Sequence, residues 1–197
     1  MKKDFNRYHG ALFMFGRIKK LDYRVLENIS RIHRPKLNRI MVTASRLGNA
    51  GIVWWAVCLP FLINQRWRYT GLTIIFSLGL TSLMGEGIIK HAVKRVRPCH
   101  SLEDDEQLIK KPKYYSFPSG HTASSFSVVS VVTFSQCPFY VIVPIFLVAS
   151  IIGFSRVYLR VHYLTDVVVG FFLGIVCGFA TVLLMNAIVP PDLFYHG

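Results

Sequence analysis

Five apolar runs constrain this chain more than any other feature. They cover roughly residues 48–63, 70–89, 119–135, 138–154 and 166–189. Each is close to the length of about 20 residues that a helix needs to cross the hydrocarbon core of a bilayer. Inside a bilayer every backbone N–H and C=O must be satisfied within the segment, so such runs become helices rather than strands of an open sheet. The sequence therefore predicts an all-α, multi-pass transmembrane bundle with five spans. A hydrophobic fraction of 52% and a mean hydropathy of +0.41 agree with that reading. The third run is interrupted by Ser and Thr, whose hydroxyls can bond to a carbonyl one turn back. Gly170, Gly174 and Gly178 form a row of small residues on the fifth run and predict close approach of another helix.

The first 48 residues differ in character. Leu21, Val25, Ile29 and Ile32 recur at helical spacing, as do Leu37, Ile40, Met41 and Ala44, with Pro35 between the two sets. The expectation is a basic, amphipathic N-terminal segment (residues 1–48), lying at the interface or against the bundle, followed by a membrane-embedded domain (residues 49–197). No apolar core of signal-peptide length is found in the first segment. The net charge of +13 points to anionic lipid headgroups as the partner and not to nucleic acid, for which no binding module is present. The four cysteines show no metal-binding spacing and no disulfide framework.

Three polar clusters punctuate the runs. The first is Lys90 to Pro98, where Lys90 and Arg97 lie two helical turns apart and Glu86 precedes Lys90 by one turn. The second is Phe117-Pro118-Ser119-Gly120-His121, at the start of the third run. A helix start offers unpaired N–H groups and the positive end of the helix dipole, which suit an anion, and glycine lets a ligand approach the backbone. The third runs from Ser155 to Asp166. His162 and Asp166 are four apart and share a helix face, so the carboxylate can accept Nδ1–H and leave Nε2 as a nucleophile. Arg156 adds a permanently charged fork suited to phosphate oxygens. With five spans, all three clusters fall on one side of the membrane. Two histidines in a cationic setting, with no metal-ligand set, fit phosphoryl transfer through a phosphohistidine. The acidic run 103–106 reads as a solvated loop.

These residues carry a resemblance. Lys90-x6-Arg97-Pro98, Pro118-Ser119-Gly120-His121 and Ser155-Arg156-x5-His162-x3-Asp166 together resemble the three-part signature of the type 2 phosphatidic acid phosphatase superfamily, in order and with each spacing intact. The resemblance implies that His162 attacks phosphorus, that Asp166 orients it, and that His121 protonates the leaving oxygen and then activates water. It implies that Lys90, Arg97, Ser119, Gly120 and Arg156 hold the phosphate, and that no metal or other cofactor is needed. The expected substrate is a lipid phosphate or diphosphate, such as a polyprenyl diphosphate of the undecaprenyl type, phosphatidate or phosphatidylglycerol phosphate. The alternative is a lipid-binding or transport protein that keeps the bundle without the chemistry. A vanadium haloperoxidase would use the same pocket, but those relatives are soluble.

Charge bias speaks to the side of the membrane. Of 23 basic residues, 12 lie in residues 1–50, and only Arg66 and Arg68 lie between the first two runs. The positive-inside rule then places the N-terminus and the three clusters in the cytoplasm, in what is expected to be a bacterial cell membrane. The resemblance points the other way, because many bacterial relatives have six spans and face outward. The sequence leaves the oligomeric state open.

Overall fold

The computed structural model describes residues 12–101, 107–113 and 115–188, with side chains described from residue 16 onward, Ser101 excepted. The acidic run 103–106 lies outside the described residues, as does the end of the chain from residue 189. Every regular element among the described residues is helical: α1 (Leu12–Ser30), α2 (Pro35–Leu47), α3 (Ile52–Ile63), α4 (Arg68–Ser82), α5 (Lys90–Val93), α6 (Gly120–Phe134), α7 (Phe139–Tyr158) and α8 (Leu164–Ile188).

Local chemistry sets the boundaries. Pro35 occupies the first turn of α2, where its missing N–H costs nothing. Ala50 and Gly51 both take positive φ and bend α2 from α3 by 58°. α4 continues through a π-helical stretch, Leu83–Ile89, into α5, which stops at Lys94 in the left-handed conformation that ends many helices.

α6 is the centre of the bundle, packed against α4, α7 and α8. Its hydroxyls are satisfied as the sequence leads one to expect. Ser125 Oγ donates to the His121 carbonyl at 2.6 Å and Thr133 Oγ1 to that of Val129 at 2.7 Å, each one turn back. Ser130 Oγ donates across to Ile175 O at 2.9 Å. The glycine row on α8 meets α6: a Cβ at Gly170 would lie 2.7 Å from Ser119 O, and one at Gly178 2.5 Å from Ser130 Cβ. On the outside, Phe146, Leu147, Ile151 and Phe154 of α7, with Phe172, Val176 and Leu183 of α8, are exposed. A continuous apolar exterior of this kind belongs in lipid.

The expected count of five spans holds only approximately. Among the described residues three helices are long and apolar enough to cross a membrane: Gln65–Val93, Phe139–Tyr158 and Leu164–Ile188. The bent pair Pro35–Leu47 and Asn49–Ile63 makes a fourth if taken as one broken span. The third run became the 15-residue α6, which rises only about 22 Å and is shielded by its neighbours.

The N-terminal helices form, and Val25, Ile29, Leu37, Met41 and Ala44 of the expected faces pack inward. Leu26 and Ile29 of α1 are buried together with Asp22, whereas Leu21 and Ile32 are exposed; α2 buries Met41, Ala44 and Ser45 and exposes Ile40. Both helices pack on α7, and α1 also reaches α8.

Candidate active site

The three clusters meet at one end of the bundle. Lys90 comes from α5, Arg97 from the chain that follows it, Gly120 and His121 from the first turn of α6, Arg156 from the last turn of α7 and His162 from the connection to α8. All six line one cavity of about 990 Å³. Lys110, Lys111, Lys113 and Arg46 extend its positive lining, and Glu86 is the one carboxylate among the described lining residues.

His162 is almost fully buried. Its Nε2 lies 2.8 Å from Arg97 Nη1. A guanidinium can only donate, so Nε2 is the acceptor and the ring proton sits on Nδ1. That proton faces Asp166 Oδ2 at 3.5 Å, longer than a formed hydrogen bond, and the Ser116 backbone is a further neighbour of the ring. The tautomer is the one the His–Asp spacing predicts. Nε2 is not free, however, because its lone pair is directed at Arg97. Burial, and then the charges of Arg97, Arg156 and Lys90, hold the His162 imidazole well below the usual histidine range. The ring is therefore neutral at neutral pH, as a nitrogen nucleophile must be.

The carboxylate of Asp166 is fully buried and well bonded. Oδ2 accepts from Tyr163 N at 2.9 Å and Oδ1 from Arg95 Nη1 at 2.7 Å. Its backbone carbonyl accepts from Ser119 N at 3.0 Å, which ties the start of α6 to the start of α8. Ser119 itself is not on the cavity wall. It is fully buried, and its Oγ accepts from Thr122 Oγ1 at 2.9 Å. Gly120 stands against Glu86: a Cβ there would lie 2.3 Å from Glu86 Oε1, and Glu86 Oε2 pairs with Lys90 as the one-turn spacing suggests.

Several neighbours were not foreseen from the sequence. Arg156 Nη1 donates to Ser45 Oγ, and His121 Nε2 lies 2.9 Å from Asn49 Oδ1. A Cβ at Gly48 would fall 2.8 Å from His121 Cδ2, so only glycine lets the α2–α3 corner pack on that ring. These residues belong to the N-terminal part of the chain, for which the sequence carries no recognisable signature. Among the described residues, no group of three or more His, Cys, Asp or Glu side chains is arranged to hold a metal ion.

Residues 70–190 match the model of the PAP2 superfamily, which spans every element that carries the three clusters. The chain belongs to the PAP2 superfamily. PAP2 relatives include an undecaprenyl-diphosphatase of Sulfolobus acidocaldarius, 33% identical over 138 residues, which cover 70% of this chain and 66% of that protein. Phosphatidylglycerophosphatase B of Bacillus subtilis is 30% identical over 163 residues, 75% of each chain. Two solved PAP2 structures share the fold. Aquifex aeolicus LpxE superposes with a TM-score of 0.72 at 27% identity, over 83% of this chain and 95% of its own. The PAP2-type phosphatidylglycerolphosphate phosphatase of Bacillus subtilis superposes at 0.73 and 26% identity, over 89% of each chain. With its apolar exterior and these PAP2 relatives, the chain is an integral membrane protein.

Proposed function

We propose that this PAP2 protein hydrolyses a lipid phosphate or diphosphate through a phosphohistidine on His162. The observation that carries the reading is the neutral, buried His162 whose unprotonated Nε2 points at Arg97 within a cationic cavity. A phosphate entering the cavity competes for Arg97, Lys90 and Arg156, and draws Arg97 from Nε2 toward its own oxygens. Nε2 then attacks phosphorus as the bond to the lipid oxygen breaks. The incoming phosphate brings negative charge beside His121, and the imidazolium it favours, braced by Asn49, gives its proton to that leaving oxygen. Asp166 stabilises the positive charge that develops on His162. In the second half His121 takes a proton from water, the resulting hydroxide attacks phosphorus, and the P–N bond returns its electron pair to Nε2 as inorganic phosphate departs. Gly120 contributes the N-terminal end of α6 to the phosphate site, and Ser119, off the cavity wall, holds that helix start against Asp166.

The names of the relatives support two substrate classes, a polyprenyl diphosphate and a phosphatidyl monoester. Phosphate release in detergent from undecaprenyl diphosphate, phosphatidate, phosphatidylglycerol phosphate and a soluble phosphate ester tests the reading. Release from at least one lipid, and faster than from the soluble ester, is expected; release from none supports a non-catalytic lipid-binding protein instead.

We further propose that the positive charges of Lys90, Arg97 and Arg156 take the place of a metal ion in neutralising the transition state. Full turnover is expected in excess chelator, together with inhibition by vanadate, which adopts five-coordinate geometry on Nε2. Turnover that requires added magnesium would contradict this. The charge bias of the chain supports a cavity facing the cytoplasm, in the inner leaflet of a bacterial membrane. The native cysteines are buried, so single exposed cysteines report the side. In intact cells an impermeant maleimide is expected to label Arg66→Cys and to spare Lys113→Cys. The opposite pattern would show an outward-facing site.

A further inference from the structure

We propose that Asp22, on the N-terminal helix α1, is a positioning residue of the reaction: by holding Arg95 it keeps the Asp166 carboxylate aligned and its charge available to His162. The proposal rests on the reading of His162 as nucleophile. α1 lies outside residues 70–190, where the family model matches.

Asp22 is fully buried, and its two oxygens are spent on one small cluster. Oδ1 accepts from Thr165 N at 3.0 Å, so a carboxylate from α1 caps the first turn of α8. Oδ2 accepts from Thr165 Oγ1 at 2.6 Å and from Arg95 Nη2 at 2.7 Å. The other arm of the same guanidinium, Nη1, donates to Thr165 Oγ1 and to Asp166 Oδ1, each at 2.7 Å. The Arg95 guanidinium lies over the Tyr163 ring, 3.9 Å from its centroid, and the Tyr163 N–H holds the second Asp166 oxygen. A hydrogen-bonded path therefore runs from Asp22 through Arg95 to Asp166, whose Oδ2 faces His162 Nδ1 at 3.5 Å.

Charge explains why both ends of Arg95 matter. Asp22 and Asp166 against one guanidinium leave a single net negative charge in the cluster. That charge stabilises the imidazolium character of phosphorylated His162. Without Asp22, Arg95 has Asp166 as its sole carboxylate in the cluster and neutralises it, and the carboxylate is drawn away from a His162 contact already stretched to 3.5 Å. The loss falls on the transition state and not on lipid binding, because neither Asp22 nor Arg95 is on the cavity wall. A simple docking role for Asp22 would instead lower stability and leave the kinetics of the folded fraction intact.

The test compares Asp22→Asn, the double variant Asp22→Asn/Arg95→Gln, and His162→Ala in the purified full-length protein, with dioctanoyl phosphatidate as the probe. Turnover is scored per folded molecule, with thermal melting as the measure of folding. Asp22→Asn is expected to lower kcat about 10- to 100-fold, the loss usual when a histidine's orienting partner is removed, with KM changed by less than about threefold. The double variant frees Asp166 from a one-sided guanidinium and restores the net charge, so its kcat is expected to exceed that of Asp22→Asn by about threefold or more. Should Asp22→Asn not fold, the double variant alone decides, and a kcat within about tenfold of wild type supports the proposal. The proposal is overturned if Asp22→Asn turns over at the wild-type rate while His162→Ala is inactive. A double variant slower than Asp22→Asn, or more than about tenfold below wild type when the single variant does not fold, overturns it equally. Wild-type turnover by His162→Ala would instead remove the functional reading on which it rests.

Discussion

His162→Ala is expected to abolish phosphate release, a loss of roughly 10,000-fold or more, as in other sites where a nucleophile is deleted. Among the described lining residues the one other imidazole is His121, whose Nε2 is turned to Asn49. Replacing His162 also removes one acceptor from buried Arg97, which keeps the Val161 carbonyl, so Tm should fall somewhat. That effect is separable from the chemistry, because vanadate should still protect the wild type and fail to protect the variant. His121→Ala is expected to cost less, about 100- to 10,000-fold, because it removes positioned proton transfer but leaves the attacking atom in place. The second half-reaction should suffer with the first, so phosphorylated enzyme should build up in this variant. Steady-state release combined with a rapid-quench time course checks both statements. Near wild-type turnover by His162→Ala would end the account.

A second large effect is expected far from the chemistry. Gly174→Ala should strongly destabilise the bundle, and Gly174→Leu should prevent it from assembling. A Cβ at this position would lie 2.3 Å from Ala123 O, 2.8 Å from Ser127 N and 3.0 Å from the carbonyl carbon of Phe126. All three are backbone atoms of α6, so no rotamer change can relieve the contact. Overpacking of this kind costs about 1–3 kcal/mol, occasionally more. It also spreads to the site, because separating α8 from α6 stretches the bond from Ser119 N to Asp166 O that ties the two helix starts together. Gly79→Ala is the control: a Cβ there meets nothing within 4 Å, and Ala in a helix interior is favoured over Gly by about 0.5–1 kcal/mol. Thermal melting in detergent should show a large drop for Gly174→Ala and none for Gly79→Ala.

What could be read from the sequence followed the range of the interaction. Glu86 with Lys90 and the glycine row on α8 depend on helical spacing within a few turns, and the structure places both as that spacing dictates. His162 instead sits in the connection before α8, with its Nδ1 3.5 Å from Asp166 and no hydrogen bond formed between them. The convergence of Lys90, His121 and Arg156 was legible too, because alternation of spans fixes which helix ends share a side. Ser45 against Arg156, Asn49 against His121 and Asp22 against Arg95 were not. Their partners lie 111, 72 and 73 residues away, and nothing local in a basic amphipathic helix marks which polar residue turns inward. The helical spacing of α1 was legible only in part for the same reason. Val25 and Ile29 pack inward as their spacing predicts, while the buried ion pair brings Asp22 in and leaves Leu21 out. The extent of α6, Gly120–Phe134 against an expected 119–135, was legible; its enclosure by α4, α7 and α8 was not, because composition alone does not say which Ser-rich segment ends up in the middle of a bundle.

The central claim is covalent, and the most direct measurement is the search for its intermediate. Enzyme mixed with substrate, quenched in alkali within the first turnover and digested for mass spectrometry, is expected to carry phosphate on the His162 ring. The adduct should survive base, be lost in acid, and accumulate in His121→Ala. Product formation with phosphate on Ser119 or another hydroxyl, or with no enzyme-bound phosphate in either protein, would contradict the account.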